Sequence, residues 1–235
     1  MRIILIIIFF QLASLGLFSQ GVKESKLVYN KEIIYSYKVT HVSCEKNRSV
    51  NILYLVCYGT PWRLDTLNQI KVNWAPSLND IFKKTAGTGV IENKLKIWMH
   101  PPRYNEFSIL EYSPFPYVKF PLEIGRKWNW ELALGKYWKN ESLSVRADDI
   151  MKYIYLIEGH EKVKVNFSDE EIDSYKIISK SINERFDSSL TCYFNKDYGF
   201  VKLFYKNIDK SELRFELIDI CFKENILNFD SVFKY

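Results

Sequence analysis

Residues 100–138 read HPPRYNEFSILEYSPFPYVKFPLEIGRKWNWELALGKYW and hold five of the seven prolines and three of the six tryptophans in the chain. Proline fixes φ and removes a backbone donor, so Pro101, Pro102, Pro114, Pro116 and Pro121 fit neither a helix interior nor a central strand. The residue before each is pushed toward extended geometry. The segment therefore reads as polyproline-like crossings between short strands. Glu106 to Tyr112 is expected to be one such strand, with Phe107, Ile109 and Glu111 on one face. Gly125 is a turn position, since glycine takes φ > 0 without steric cost. After it, Trp128, Trp130 and Leu132 share a face at period two. Those rings suit the core of a β-protein, where each removes roughly 150–250 Å² from water. The same face, with Trp138, is the candidate ligand lining.

The rest of the chain repeats the strand pattern. Ile33 to Thr40 alternates, Glu45 to Ser49 supplies turn residues, and Asn51 to Val56 returns as an apolar strand that Gly59 and Pro61 end. Further strands are expected over Leu67–Trp74 and Val90–Met99. A hairpin is expected over Ile150–Glu158 and Glu161–Phe167, turning at Gly159-His160. Then come Tyr175–Ile182, Ser189–Phe194, Phe200–Tyr205 and Glu212–Ile220, separated by turns rich in Asn, Asp and Gly. One short helix is expected, with Ser77 as N-cap, Asp80 in capping-box position and Gly87 at the C-terminal end. About a dozen short strands and one helix predict a mainly β fold: a single curved antiparallel sheet or half-open barrel.

Residues 1–19 read as a signal peptide. Arg2 precedes an apolar run from Ile3 to Phe18, and Ser19-Gln20 offers a cleavage point. The run is shorter than the roughly 20 residues that span a bilayer. Residues 20–235 are expected to form one β-rich domain, with 20–99 as N-terminal strands and helix and 100–235 as the principal sheet. The chain has 33 Lys and Arg, 28 Asp and Glu, and a net charge of +5, falling to +4 when Arg2 leaves with the leader. So small and interleaved an excess argues against nucleic acid as a partner. In an oxidising compartment Cys44, Cys57, Cys192 and Cys221 are free to pair, and their spacing selects none of the three pairings. Cys44–Cys57 would staple the first hairpin.

The chemistry-bearing motifs are sparse. His160-Glu161 lacks the second histidine of a zinc-protease helix, and Gly87-Thr88-Gly89 lacks the third glycine of a dinucleotide loop. No Gly-x-Ser-x-Gly, P-loop or CxxC occurs, so neither a metal nor a cofactor is expected. His41, His100 and His160 read as structural or exposed. The acidic turn at Asp169, Glu170, Glu171 and Asp173 lacks calcium-loop spacing and reads as solvated. Asn47, Asn140 and Asn166 open N-x-S sequons. Glu111, Glu123 and Glu131 could form a glycosidase carboxylate pair, although acids on a strand usually mark its solvent face.

Phe120-Pro121-Leu122-Glu123-Ile124-Gly125-Arg126-Lys127-Trp128 resembles the P-L-x-x-G-x-x-W element of uncharacterised exported β-proteins of Gram-negative bacteria. The block Tyr193-Phe194-Asn195-Lys196-Asp197-Tyr198-Gly199-Phe200-Val201-Lys202-Leu203, with Tyr175-Lys176-Ile177 upstream, resembles the same proteins. The resemblance covers roughly residues 100–220 and implies a curved antiparallel sheet like that of periplasmic lipoprotein carriers, with no catalytic residues attached. Together these readings predict an exported, non-enzymatic β-protein, periplasmic, envelope-associated or secreted. It would hold a lipid-like apolar ligand or a glycan on the face of Trp128, Trp130 and Trp138. Two alternatives stand beside it: a structural or envelope-interaction protein without a pocket, and a glycan-active hydrolase.

Overall fold

Burial alternates along the strands, and that alternation builds the fold. Tyr35, Tyr37 and Val39 point inward from β1 (Ile33–Val42), and Leu53, Leu55 and Cys57 from β2 (Arg48–Pro61). Met151, Tyr153, Tyr155 and Ile157 do so from β8 (Ile150–Val163), and Leu213, Phe215 and Leu217 from β12 (Glu212–Phe222). The other strands are β3 (Ile70–Ala75), β4 (Thr88–Glu92), β5 (Lys96–Met99), β6 (Tyr117–Lys119) and β7 (Lys127–Ala133), then β9 (Ile172–Ser181), β10 (Ser189–Asn195) and β11 (Gly199–Lys206). The computed structural model describes residues 27–29, 32–62, 68–81, 87–222 and 225. The expected leader, the start of the strand expected from Leu67 and the second half of the expected helix lie outside them.

Among the described residues twelve strands form one antiparallel sheet curled into a half-barrel, in the order β6-β5-β4-β3-β2-β1-β12-β11-β10-β9-β8-β7. Every hydrogen-bonded pair joins neighbours in sequence except one, β1 with β12, which brings the two ends of the described chain together. The opening falls between β6 and β7, consecutive in sequence and not paired. Register shifts at Ser36/Tyr37, Cys57/Pro61, Ile157/Gly159 and Tyr193/Phe194 add local bends. A smaller cluster of Ile34, Val56, Ala75 and Ile81 packs on the convex side.

The proline-rich stretch fills the concave side. Residues 105–112, expected as a strand, form a 3-10 helix, with Phe107 N–H donating to the Tyr104 carbonyl (3.0 Å) and Ser113 N–H to that of Leu110 (3.1 Å). Prolines on both sides and no strand edge alongside leave these amides local partners only. The wall supplies partners for the carbonyls this plug buries, as buried backbone groups require. Trp74 Nε1 donates to His100 O (3.0 Å), Ser188 Oγ to Tyr112 O (3.1 Å) and Tyr155 Oη to Phe115 O (2.9 Å).

Three further expectations change. Gly159-His160 is not a turn, because β8 runs through it with a register shift between Ile157 and Gly159, so the hairpin turn falls after Val163. Val90–Met99 divides into β4 and β5 about an Asx turn in which Asn93 Oδ1 accepts from Leu95 N–H and Lys96 N–H. Of the expected helix, Leu78–Asp80 form a 3-10 turn. The Ser77 hydroxyl donates to the Asp80 carboxylate (2.6 Å) rather than accepting from a backbone amide.

The open end near β11 is sealed by Tyr29, fully buried. Its backbone N–H and that of Val28 donate to the Glu92 carboxylate, and its hydroxyl accepts from Phe200 N–H (2.7 Å). Gly199 has φ +76°, and a Cβ there would overlap the Tyr29 hydroxyl. Gly199→Ala is therefore expected to cost about 2 kcal/mol or more of unfolding free energy. Gly135→Ala, where a Cβ meets nothing, should change it by about 0.5 kcal/mol at most. Urea titration of both variants checks the contrast, and equal effects would refute it.

Candidate functional site

The seam between β6 and β7 is closed by rings in place of a hydrogen-bond ladder. Residues 120–126 cross it, with Phe120 N–H on the Leu95 carbonyl (2.9 Å) at one side and Gly125 N–H on the Ile157 carbonyl (2.8 Å) at the other. Gly125 makes the expected turn at φ +88°. Beneath this crossing Trp128 stacks on Tyr155 (5.3 Å, 10°) and meets Tyr117 edge-on (5.7 Å). Trp130 stacks on Tyr153 (5.6 Å, 20°) and contacts Phe115 (4.9 Å) and Trp98 (6.0 Å). Aromatic pairs at such spacings add roughly 0.5–1.5 kcal/mol each beyond area burial.

The three tryptophans singled out from sequence thus occupy different settings. Trp128 is buried, Trp130 is half-buried on the same face, and Trp138 sits past the strand on the 3-10 turn Lys136–Trp138. There the Trp138 carbonyl accepts from the Tyr112 hydroxyl (2.9 Å). The candidate carboxylates are not brought together. Glu123 is exposed on the seam crossing, Glu131 is exposed and ion-paired with Lys152 (3.2 Å), and Glu111 is buried inside the plug. Glu111 departs from the solvent-face expectation because the 3-10 winding replaces the two-residue period with one near three.

Glu111 faces His100, its Oε2 lying 3.6 Å from the histidine Nε2. His100 Nδ1 is 2.9 Å from the Pro101 carbonyl, which can only accept, so Nδ1 carries the proton and Nε2 presents a lone pair. An ionised carboxylate facing that lone pair would be repelled, and protonation of the Glu111 carboxyl removes the conflict. Burial pushes the Glu111 carboxyl up to about 7, with Arg103 opposing. Burial, helped by Arg103, pulls His100 down to about 3. Trp98, Phe115 and Tyr153 enclose the pair in apolar surroundings, and Tyr153 Oη and Glu111 Oε2 have no hydrogen-bond partner among the described residues.

A groove of about 610 Å³ opens at the rim, between Asn51–Tyr54 of β2, Pro76–Asn79 and the first residues of the plug's 3-10 helix, Tyr104–Phe107. Leu78 and Ile52 are exposed along it, and Phe107 closes its floor. Sequence reasoning missed this site. Its walls come from three separated segments that share no periodicity, and only Asn105, at φ +49° beside Tyr104, carries a local signal.

The four cysteines are free thiols. Cys44 lies in the β1–β2 turn while Cys57, facing Val72, is far along the hairpin, which rules out the staple. Cys192 points into the core, whereas Cys221, opposite Ile34, lies with the convex cluster. Burial pushes the Cys57 and Cys192 thiols up and makes them poor nucleophiles. His160 packs on Tyr175 (4.7 Å).

No protein-family model matches the chain, and no curated protein resembles it in sequence. Among solved structures, a Bacteroides fragilis protein described as exported and having a YmcC-like fold superposes with a TM-score of 0.42 at 8% identity, covering 83% of this chain and 98% of its own. The hypothetical lipoprotein YmcC of Escherichia coli gives 0.38 at 8% identity, over 83% and 90%. A LolA superfamily protein of Nitrosomonas europaea gives 0.26 at 8% identity, over 83% and 87%. At this identity and overlap the likeness carries no functional information.

Two measurements test the site. Trp128→Ala removes a ring from the seam and is expected to cost about 3–5 kcal/mol by urea unfolding; a loss below about 1 kcal/mol would mean the rings do not hold the seam. The buried pair sets a pH profile. Glu111, raised from its ordinary 4.5, contributes stability fully below pH 4.5 and loses it as pH rises toward 7. His100, lowered from 6.5, contributes stability fully above pH 6.5 and loses it as pH falls toward 3. Between about pH 4.5 and 6.5 the two slopes offset each other. Glu111→Gln is expected to leave the His100 slope, so that unfolding free energy rises with pH across that window where the wild type is flatter. Parallel profiles for the two proteins would refute the pairing.

Proposed function

We propose that this chain is an exported, non-enzymatic binding protein that holds an apolar or glycan ligand in the rim groove. The observation that carries the reading is the division of space. The concave face, where a half-barrel offers its largest apolar surface, is occupied by the chain's own residues 100–116, while an open groove of about 610 Å³ remains at the rim. Small-molecule sites commonly have roughly 300–1,000 Å³.

The tryptophans then act as positioning groups. Trp130 holds Phe115, and the Trp138 carbonyl holds the Tyr112 hydroxyl, so both fix the far end of the segment whose beginning walls the groove. Export is supported by Arg2, the apolar run from Ile3 to Phe18 and the Ser19-Gln20 site. The non-enzymatic reading is supported by the three different environments of Glu111, Glu123 and Glu131, since glycoside hydrolysis needs two carboxyls across one bond.

Native mass spectrometry of the protein purified from its own envelope tests both parts. A chain beginning at Gln20 with a non-covalent adduct is the expected spectrum, and Ile52→Asp, which puts a charge into the groove, is expected to remove the adduct from a folded protein. An adduct that survives Ile52→Asp would move the ligand elsewhere. A bare wild-type mass would overturn the binding reading.

A further inference from the structure

The chemistry of the groove narrows its ligand. Three amide side chains, Asn51, Asn79 and Asn105, line it from three separate segments. All three residues are exposed, and among the described residues none of these amides has an intramolecular hydrogen bond. Asn105 is held at a positive φ of 49°, a conformation that asparagine tolerates better than most residues.

Two tyrosines, Tyr54 and Tyr104, are half-buried in the same lining. The Tyr104 ring is fixed edge-on against Phe107 (5.5 Å, 79°), and its hydroxyl is shielded from solvent without a partner. Burial and then the carboxylates of Glu106 and Asp80 push that phenol up, so it stays a donor. Among the described residues no lysine, arginine or histidine lines the groove, although the chain as a whole is positively charged.

We infer that the rim groove is a carbohydrate site that takes a neutral oligosaccharide. The inference rests on the binding reading above and names the ligand class for the same groove. Each asparagine amide offers a donor and an acceptor in one plane, which matches the alternating demands of neighbouring sugar hydroxyls. The Glu106 carboxylate accepts from hydroxyls. The tyrosine rings, with Ile52 and Leu78, cover the C–H faces of the sugar rings. A lipid phosphate or a fatty-acid carboxylate would bring negative charge beside Glu106 with no cation among the described lining residues to meet it, which disfavours both.

The test is titration of the isotope-labelled mature protein with neutral hexasaccharides of glucose, xylose and N-acetylglucosamine, in parallel with phosphatidylglycerol vesicles, read by NMR. At least one neutral oligosaccharide is expected to shift the side-chain amide signals of Asn51, Asn79 and Asn105. Asn79→Ala, and Asn105→Gly, which keeps the left-handed backbone and removes the amide, are each expected to weaken binding about three- to tenfold, the loss of one neutral hydrogen bond. Vesicle binding without any response to the sugars would overturn the carbohydrate inference and leave the binding reading standing. Sugar binding that both variants retain at wild-type affinity would overturn the site. Silence toward sugars and vesicles alike at millimolar concentration would overturn the inference together with the reading beneath it.

Discussion

A meander of twelve strands can close on itself only once, and here the closing ladder joins β1 to β12. That pairing runs ten residues, from Ile33 opposite Phe222 to Val42 opposite Glu212, and places the two ends of the sheet's sequence in its middle. The opening must then fall in the middle of the sequence, between β6 and β7. An exposed pair of strand edges invites association with other chains. This protein covers it locally: β6 is three residues long, Pro121 lies two residues beyond it in the crossing, and the tryptophans of β5 and β7 meet tyrosines and a phenylalanine underneath. The tryptophans at the seam are there because the ladder is not.

The same constraint explains the plug. A sheet that curls without closing leaves a concave face too apolar for water, and residues 100–116 fill it. Filling it with backbone is costly unless each buried carbonyl finds a donor, and indole, hydroxyl and phenol groups on the wall provide them. His100 and Glu111 are the titratable pair that the plug buries. Burial pushes each toward its neutral form, and as a neutral pair they avoid placing a charge in an apolar enclosure.

From the plug follows the groove. The 3-10 helix enters the barrel at Tyr104, and the gap it leaves against β2 and Pro76–Asn79 has two walls set by wall residues and a third set by the plug. One short segment thus reaches from the ring packing at the seam, at Phe115, to the groove at the rim, at Tyr104–Phe107.

Strand identity was legible from the residues because burial on a sheet has a period of two. The alternation in Ile33–Thr40 and the even turns at Asn195–Gly199 and Lys206–Lys210 determine β1 and the meander from β9 to β12 with little help from tertiary contacts. The curl was legible too, since a dozen short strands linked by short turns have few other ways to bury one face. Glu106–Tyr112 was misread because its apolar residues fit both a two-residue and a three-residue period, and only the absence of a neighbouring strand edge selects the second. The pairing of His100 with Glu111, and the meeting of Asn51, Asn79 and Asn105, were decided by the tertiary structure alone. Each depends on where the plug enters the barrel, and the geometry of that entry is set by packing among distant side chains, which no local pattern records.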